Sequence, residues 1–81
     1  MYIGVSIFIE QLRDGGYRTN FDLAERDREG GSVKNYFIDT IFETVEEAQK
    51  AAHRHVAEQV TEDYGENIKA VIEREVLPGI N

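Results

Sequence analysis

From Tyr2 to Glu10 the chain alternates. Ile3, Val5, Ile7 and Ile9 are apolar and β-branched, and Tyr2, Gly4, Ser6, Phe8 and Glu10 fall around them. A period of two in such residues predicts a strand with one face toward a core. The segment Arg13-Asp14-Gly15-Gly16-Tyr17 follows, and two adjacent glycines, free to take positive φ, predict a hairpin turn. Tyr17 to Glu25 alternates again, with Tyr17, Thr19, Phe21 and Leu23 on one face and Arg18, Asn20 and Asp22 on the other. A charged loop from Arg26 to Ser32 carries a second glycine pair, Gly30–Gly31, and leads into a third predicted strand, Val33 to Phe42. Short connections make these three an antiparallel meander.

The period then changes from two to between three and four. Val45, Ala48, Ala52, Val56, Val60 and Tyr64 form one apolar stripe of a long helix. Thr44 stands three residues before Glu47, the spacing in which an N-cap hydroxyl satisfies a backbone N–H of the first turn. Glu46 and Glu47 suit the positive end of the helix dipole, and Gly65 is a natural stop. The tail is ambiguous. Ile68, Val71, Ile72 and Val76 fit a helical stripe, while Ile68, Ala70, Ile72 and Val76 fit a strand. Glu, Lys, Ala and Arg favour a helix, and Pro78-Gly79 would end it. The expected fold is therefore a single α+β domain, residues 1–81. It has a three-stranded antiparallel meander, one long helix on one face, and a C-terminal segment forming a short second helix, with a fourth strand as the alternative.

The third strand is apolar on both sides. Val33, Phe37 and Ile41 point one way, and Tyr36, Ile38 and Phe42 the other. One helix covers one face of a sheet, so the opposite face is expected to keep a share of Tyr2, Phe8, Leu12, Tyr36, Ile38 and Phe42, or else of the Ile/Val/Phe set; Tyr2, Phe8, Tyr36, Ile38 and Phe42 are the candidate partner-binding residues. Burying three such side chains contributes on the order of 5–8 kcal/mol, comparable to the whole stability of a small domain. A contact surface on the sheet follows, used most simply for a homodimer; the alternative is that twist and the tail cover these groups within a monomer.

Composition narrows the partner more than the chemistry. The 81 residues carry nine Lys/Arg against 16 Asp/Glu, a net charge of −7. Nucleic acid is a polyanion that normally requires a basic surface, so the expectation is no nucleic acid and a protein partner, possibly basic. With no cysteine there is neither disulfide nor thiolate metal site. Met1 to Leu12 is apolar but lacks a basic start and a cleavage site, and is too short to span a bilayer. The default expectation is a cytoplasmic protein without a membrane partner.

Catalytic and ligand-binding patterns are weak. His53 and His55 lie two apart on the helix, so they point about 200° from each other and cannot share a metal. The carboxylates Glu43, Glu46 and Glu47 are explained by helix initiation, and Gly15–Gly16 and Gly30–Gly31 by turns rather than phosphate loops. Ser6 and Ser32 have no evident histidine partner. Tyr17, Tyr36, Asp22 and Asp39 could converge as an acid–base set, as in almost any α+β domain. No catalytic, metal or cofactor residue is assigned, and a non-enzymatic role is expected. The alternative is a small-molecule binding or catalytic domain with its pocket between sheet and helix.

Asp14-Gly15-Gly16-Tyr17, continuing to Glu25, and Thr44-Val45-Glu46-Glu47-Ala48 resemble the N-terminal domain of HicB-type antitoxins. That family shows a glycine-containing turn, a second and third strand, and a Thr-x-Glu-Glu-Ala helix start. The similarity covers about the first two-thirds of the chain. It implies an antiparallel sheet with a helix that binds a small basic ribonuclease toxin and often oligomerises. Where the family has a proline- and glycine-rich segment after strand two, this chain runs from Ala24 to Gly31 without proline. Phe42 provides a test. If it faces a partner, Phe42→Asp should shift oligomeric state and leave the fold; if it belongs to the monomer core, the same change should unfold the chain.

Overall fold

A computed structural model describes residues 1–79. Its organising element is β1 (Tyr2–Gln11), which has a strand on each side. The Gly15–Gly16 turn, with φ of 98° and 88°, returns the chain as β2 (Tyr17–Arg26). The two strands pair antiparallel along their whole length, from Tyr2 opposite Arg26 to Gln11 opposite Tyr17. β3 (Val33–Phe37) adds antiparallel to the far side of β2, with Phe21 opposite Tyr36 and Asn20 opposite Phe37. Regular pairing stops at Phe37, five residues earlier than the sequence pattern suggests. The chain detours through Asp39, Thr40 and Ile41 and rejoins β2 at a single bridge, Tyr17 with Phe42.

The helix forms as its signals predict. In α1 (Val45–Tyr64) the Thr44 side chain accepts from the Glu47 N–H at 3.1 Å, and Gly65, at φ 93°, ends it. Ala48, Ala51, Ala52, Val56 and Val60 are its buried residues. They meet Ile3, Val5, Ile7 and Ile9 of β1, Phe21 and Leu23 of β2, and Ile38, all buried. Three alanines in that row let the helix backbone approach the sheet closely, and it lies over β1 and β2.

The tail corrects the expected second helix and takes the alternative, a fourth strand. Residues 68–77 do not form a second helix, and the sheet is not a three-stranded meander. Ala70–Val76 is a fourth strand, β4, running parallel to β1, so the sheet is mixed with the order β3-β2-β1-β4. The reason is geometric. A 20-residue helix spans about 30 Å, close to the roughly 33 Å of a ten-residue strand. α1 therefore carries the chain back along the sheet and delivers the tail beside the free edge of β1, whose N–H and C=O groups need partners. The Ile3 N–H donates to the Lys69 carbonyl at 2.9 Å. That pairing, with β-branched Val71, Ile72 and Val76, outweighs the intrinsic helix preference of Glu, Lys and Arg.

Two substitutions test this packing by chemical denaturation. Thr44→Ala should cost about 1 kcal/mol through the lost cap. Ala52→Leu, which pushes the helix off the sheet, should cost about 1–3 kcal/mol.

Candidate interaction surface

Register decides which side chains share a face. Odd residues of β1 face the helix, and the even ones face the opposite side, which no element covers among the described residues. On that open face the side chains form rows across the strands. Val71, Gly4, Ala24 and Val33 make one row, and Val76, Phe8, Asn20 and Phe37 another. Between them runs a polar row, Arg74, Ser6, Asp22 and Asn35, in which the Asn35 amide donates to Asp22. Ion pairs stand at the ends. The Arg18 Nε lies 2.9 Å from Glu10, and an Arg26 terminal nitrogen lies 3.0 Å from Glu73. Arg74 sits over the Phe8 ring, 5.6 Å from its centroid.

The surface is therefore striped. Phe37 is 76% exposed and Val33 59% exposed, while charge-paired rows keep the face compatible with water. At Gly4 the Glu73 carboxylate that pairs with Arg26 lies over the backbone, 2.4 Å from where a Cβ would stand. The two strand edges also differ. β3 is short and detours after Phe37, whereas all seven residues of β4 are exposed.

The five predicted partner-binding residues do not lie together. Tyr2 and Phe8 are on the open face. Tyr36, Ile38 and Phe42 are on the helix side, because Asn20 on the open face pairs with both Phe8 and Phe37 and so turns Tyr36 and Ile38 inward. Ile38 is 5% exposed, and Tyr36 and Phe42 pack against the core. The apolar residues that do share the open face with Tyr2 and Phe8 are Val33, Phe37, Val71 and Val76. Alternation within β3 pointed to Val33 and Phe37 as a pair; the relative register of β1 and β3 was the missing piece.

On the helix side a polar cluster ties β3 to the end of α1. The Tyr36 hydroxyl donates to Asp63, whose other oxygen accepts from the Gln59 amide at 3.0 Å. Lys34 Nζ lies 3.8 Å from Asp63 and 5.3 Å from the centre of the Tyr64 ring. Tyr36 also stacks on Phe21, with ring centroids 5.2 Å apart. Burial first, and the hydrogen bond to Asp63 second, push the Tyr36 hydroxyl up to about 12. The Tyr36 hydrogen bond holds the Asp63 carboxyl below its ordinary value, against an opposing effect of burial. The Tyr64 hydroxyl is buried without a hydrogen-bond partner, and burial raises its pKa. This arrangement braces the fold.

An open cleft of about 300 Å³ lies between α1 and β4, lined by Val56, Ala57, Val60, Ile68 and Ile72 with His53 at its rim. The His53 imidazole bridges it, 3.0 Å from Glu75. Among the described residues no three His, Asp or Glu side chains are grouped to hold a metal ion, and no helix is long and apolar enough to cross a membrane. Compared with protein-family models, curated proteins and solved structures, the chain matches none.

Two measurements follow. Phe42→Asp places a carboxylate against the core and should cost several kcal/mol of stability without selectively changing association; denaturation with light scattering separates the two. For the polar cluster, a Tyr that ionises at a higher pH in the folded chain than in the unfolded one makes the unfolded state lose its proton first. Stability should therefore fall as pH rises from about 10 toward 12. The Asp63 shift has the opposite sense: its contribution is present above the ordinary Asp pKa and is lost as pH falls through the lowered folded value. Tyr36→Phe should flatten both slopes in denaturation series across pH.

Proposed function

We propose that this chain is a non-enzymatic protein-interaction module that engages a protein partner through its open sheet face. One observation carries the reading: Phe37, three-quarters exposed, stands in one row with Phe8 on a face that no described element covers. Arginine, phenylalanine and tyrosine together, as Arg74, Phe8, Phe37 and Tyr2 stand here, are enriched where proteins meet. The face itself is nearly charge-balanced, but the chain as a whole carries −7, and the exposed Glu46, Glu47, Glu58 and Glu62 of α1 place much of that charge on the helix. The resulting field attracts a basic partner from a distance and repels nucleic acid. A HicB-like antitoxin role, capping a small basic ribonuclease, is one form this takes.

The cleft between α1 and β4 supports a second reading, the binding of a small apolar ligand. Photo-crosslinking in the native cell separates the two. A benzophenone side chain at position 37 should give discrete adducts with another protein, which Phe8→Ser should weaken. Ala57→Phe, which fills the cleft mouth, should leave the adducts unchanged. An absence of discrete adducts at position 37, with the chain present and folded, contradicts the interaction reading.

A further inference from the structure

β4 is the edge that the fold leaves most open. Natural sheets blunt their edges with charged side chains (lysine above all), proline, bulges, shortness or a covering element. The opposite edge follows that rule, since β3 is five residues long and includes Lys34. β4 is longer, with seven residues and no proline between Ala70 and Val76, and α1 lies over β1 and β2 rather than over it; the charged run Glu73-Arg74-Glu75 and one irregularity in register are what blunt this edge. Four exposed aliphatic side chains concentrate at this edge: Val71, Ile72, Val76 and Leu77, each 36–44% exposed.

The register of β4 has an irregularity that bears on what fits it. Val5 lies opposite Ile72, but the next residue of β1, Ser6, lies opposite Arg74, so Glu73 is an extra residue. Both Glu73 and Arg74 consequently stand on the open face, Glu73 over Gly4 and Arg74 over Phe8. Along β4 the side chains run Val71 open, Ile72 toward the helix, Glu73 open, Arg74 open, Glu75 toward the helix, Val76 open. That order reads the same in both directions about the point between Glu73 and Arg74.

We propose that β4 pairs antiparallel with β4 of a second copy of this chain, about a two-fold axis between Glu73 and Arg74, joining two four-stranded sheets into one of eight. The proposal rests on the reading that the open sheet surface is a contact surface, and it names the second copy as the occupant of one edge. In a regular strand a two-fold axis perpendicular to the sheet must pass through a residue pair, since adjacent residues face opposite ways. Here the extra residue permits the axis to fall between two residues. Each Glu73 then lies opposite Arg74 of the other copy, twice, and each Val71 opposite Val76, twice. Ile72 meets Glu75. Faces match at every pair, and aliphatic pairs flank the centre, where Glu73 and Arg74 turn from Arg26 and from the Phe8 ring to meet across the axis.

The backbone agrees. The Ile3 N–H donates to the Lys69 carbonyl, so the alternation of a parallel ladder turns the polar groups of Ala70 and Ile72 away from β1. Beyond the extra residue the alternation resumes one step late, and it is Glu75 that turns outward. Ile72 and Glu75, opposite one another in the proposed register, are thus the residues with N–H and C=O free to form the new ladder. Placing the axis on Glu73 instead would set Glu73 against itself and bring Ile72, facing the helix side, opposite Arg74, facing the open side.

Pairing of seven-residue strands buries less than the roughly 1,200–2,000 Å² of a standard stable interface, so the dimer should be concentration-dependent. The experiment is sedimentation equilibrium from micromolar to millimolar concentration on the full chain. The wild type should approach twice the 9.3 kDa chain mass. Arg74→Glu sets Glu against Glu at both central positions, and Glu73→Arg sets Arg against Arg; each variant alone should weaken self-association at least tenfold. An equimolar mixture should regain it, since each central pair is then Glu opposite Arg. Circular dichroism confirms that each variant is folded, and the mixture reports pairing even where one variant is less stable. A wild type that stays monomeric at millimolar concentration, or variants that dimerise as the wild type does, or a mixture without rescue, overturns the β4 pairing. If the pairing fails while crosslinks from position 37 to another protein persist, the broader interaction reading stands; if both fail, both are wrong.

Discussion

The structure depends on β1 being satisfied on all sides. Ile3, Val5, Ile7 and Ile9 present an apolar row that only α1 can shield, and the strand has two hydrogen-bonding edges. The hairpin supplies β2 for one edge at once. The other stays open until the helix has returned the chain along the sheet and brought β4 into place. Closing the strand that matters most thus transfers the unpaired edge outward by one position, from β1 to β4, without abolishing it.

Within those limits the core is economical. The chain has no cysteine, and a domain of this length buries a modest share of its surface. Alanines at 48, 51 and 52 compensate by letting helix and sheet approach closely, and Val56 and Val60 complete the contact. Thr19, the one polar residue buried in this layer among the described residues, is satisfied by donating to the Phe8 carbonyl at 3.1 Å. At the far end the hydrogen bond from Tyr36 to Asp63 ties the short β3 to the last turn of α1, where close hydrophobic packing has run out. The helix is placed over β1 and β2, so the β4 side stays thinly covered, and the cleft there follows from that offset.

Much of this was legible in the residues. Alternation located β1 and β2 to within a residue. The Thr44–Glu47 spacing and Gly65 placed both ends of α1, and the stripe from Ala48 to Val60 is the face it buries. The tail was not legible by pattern, because Ile68, Ile72 and Val76 satisfy either period, with Val71 completing a helical stripe and Ala70 a strand face; only the tertiary need of the β1 edge decides it. Nor could alternation alone tell which face of β3 matches which face of β1. Tyr36, Ile38 and Phe42 accordingly belong with the core, while Phe37 and Val33 join Tyr2 and Phe8 on the open side. The extra residue at Glu73 has no local signal, since nothing in Ile72-Glu73-Arg74 marks a register shift before a partner strand is known.

What remains on the outside is consistent in kind. The open face holds aromatic and aliphatic rows separated by paired charges, and the β4 edge continues those rows with aliphatic ends and a central Glu–Arg step. On the proposed reading another chain finishes both surfaces, and a second copy finishes the edge. Amide hydrogen exchange resolved by residue, in dilute and in concentrated solution, tests this most directly. The account predicts that the Ile72 and Glu75 amides, which face away from β1, gain protection as concentration rises while those of β3 do not. Unchanged exchange at Ile72 and Glu75 across the concentration range would contradict it.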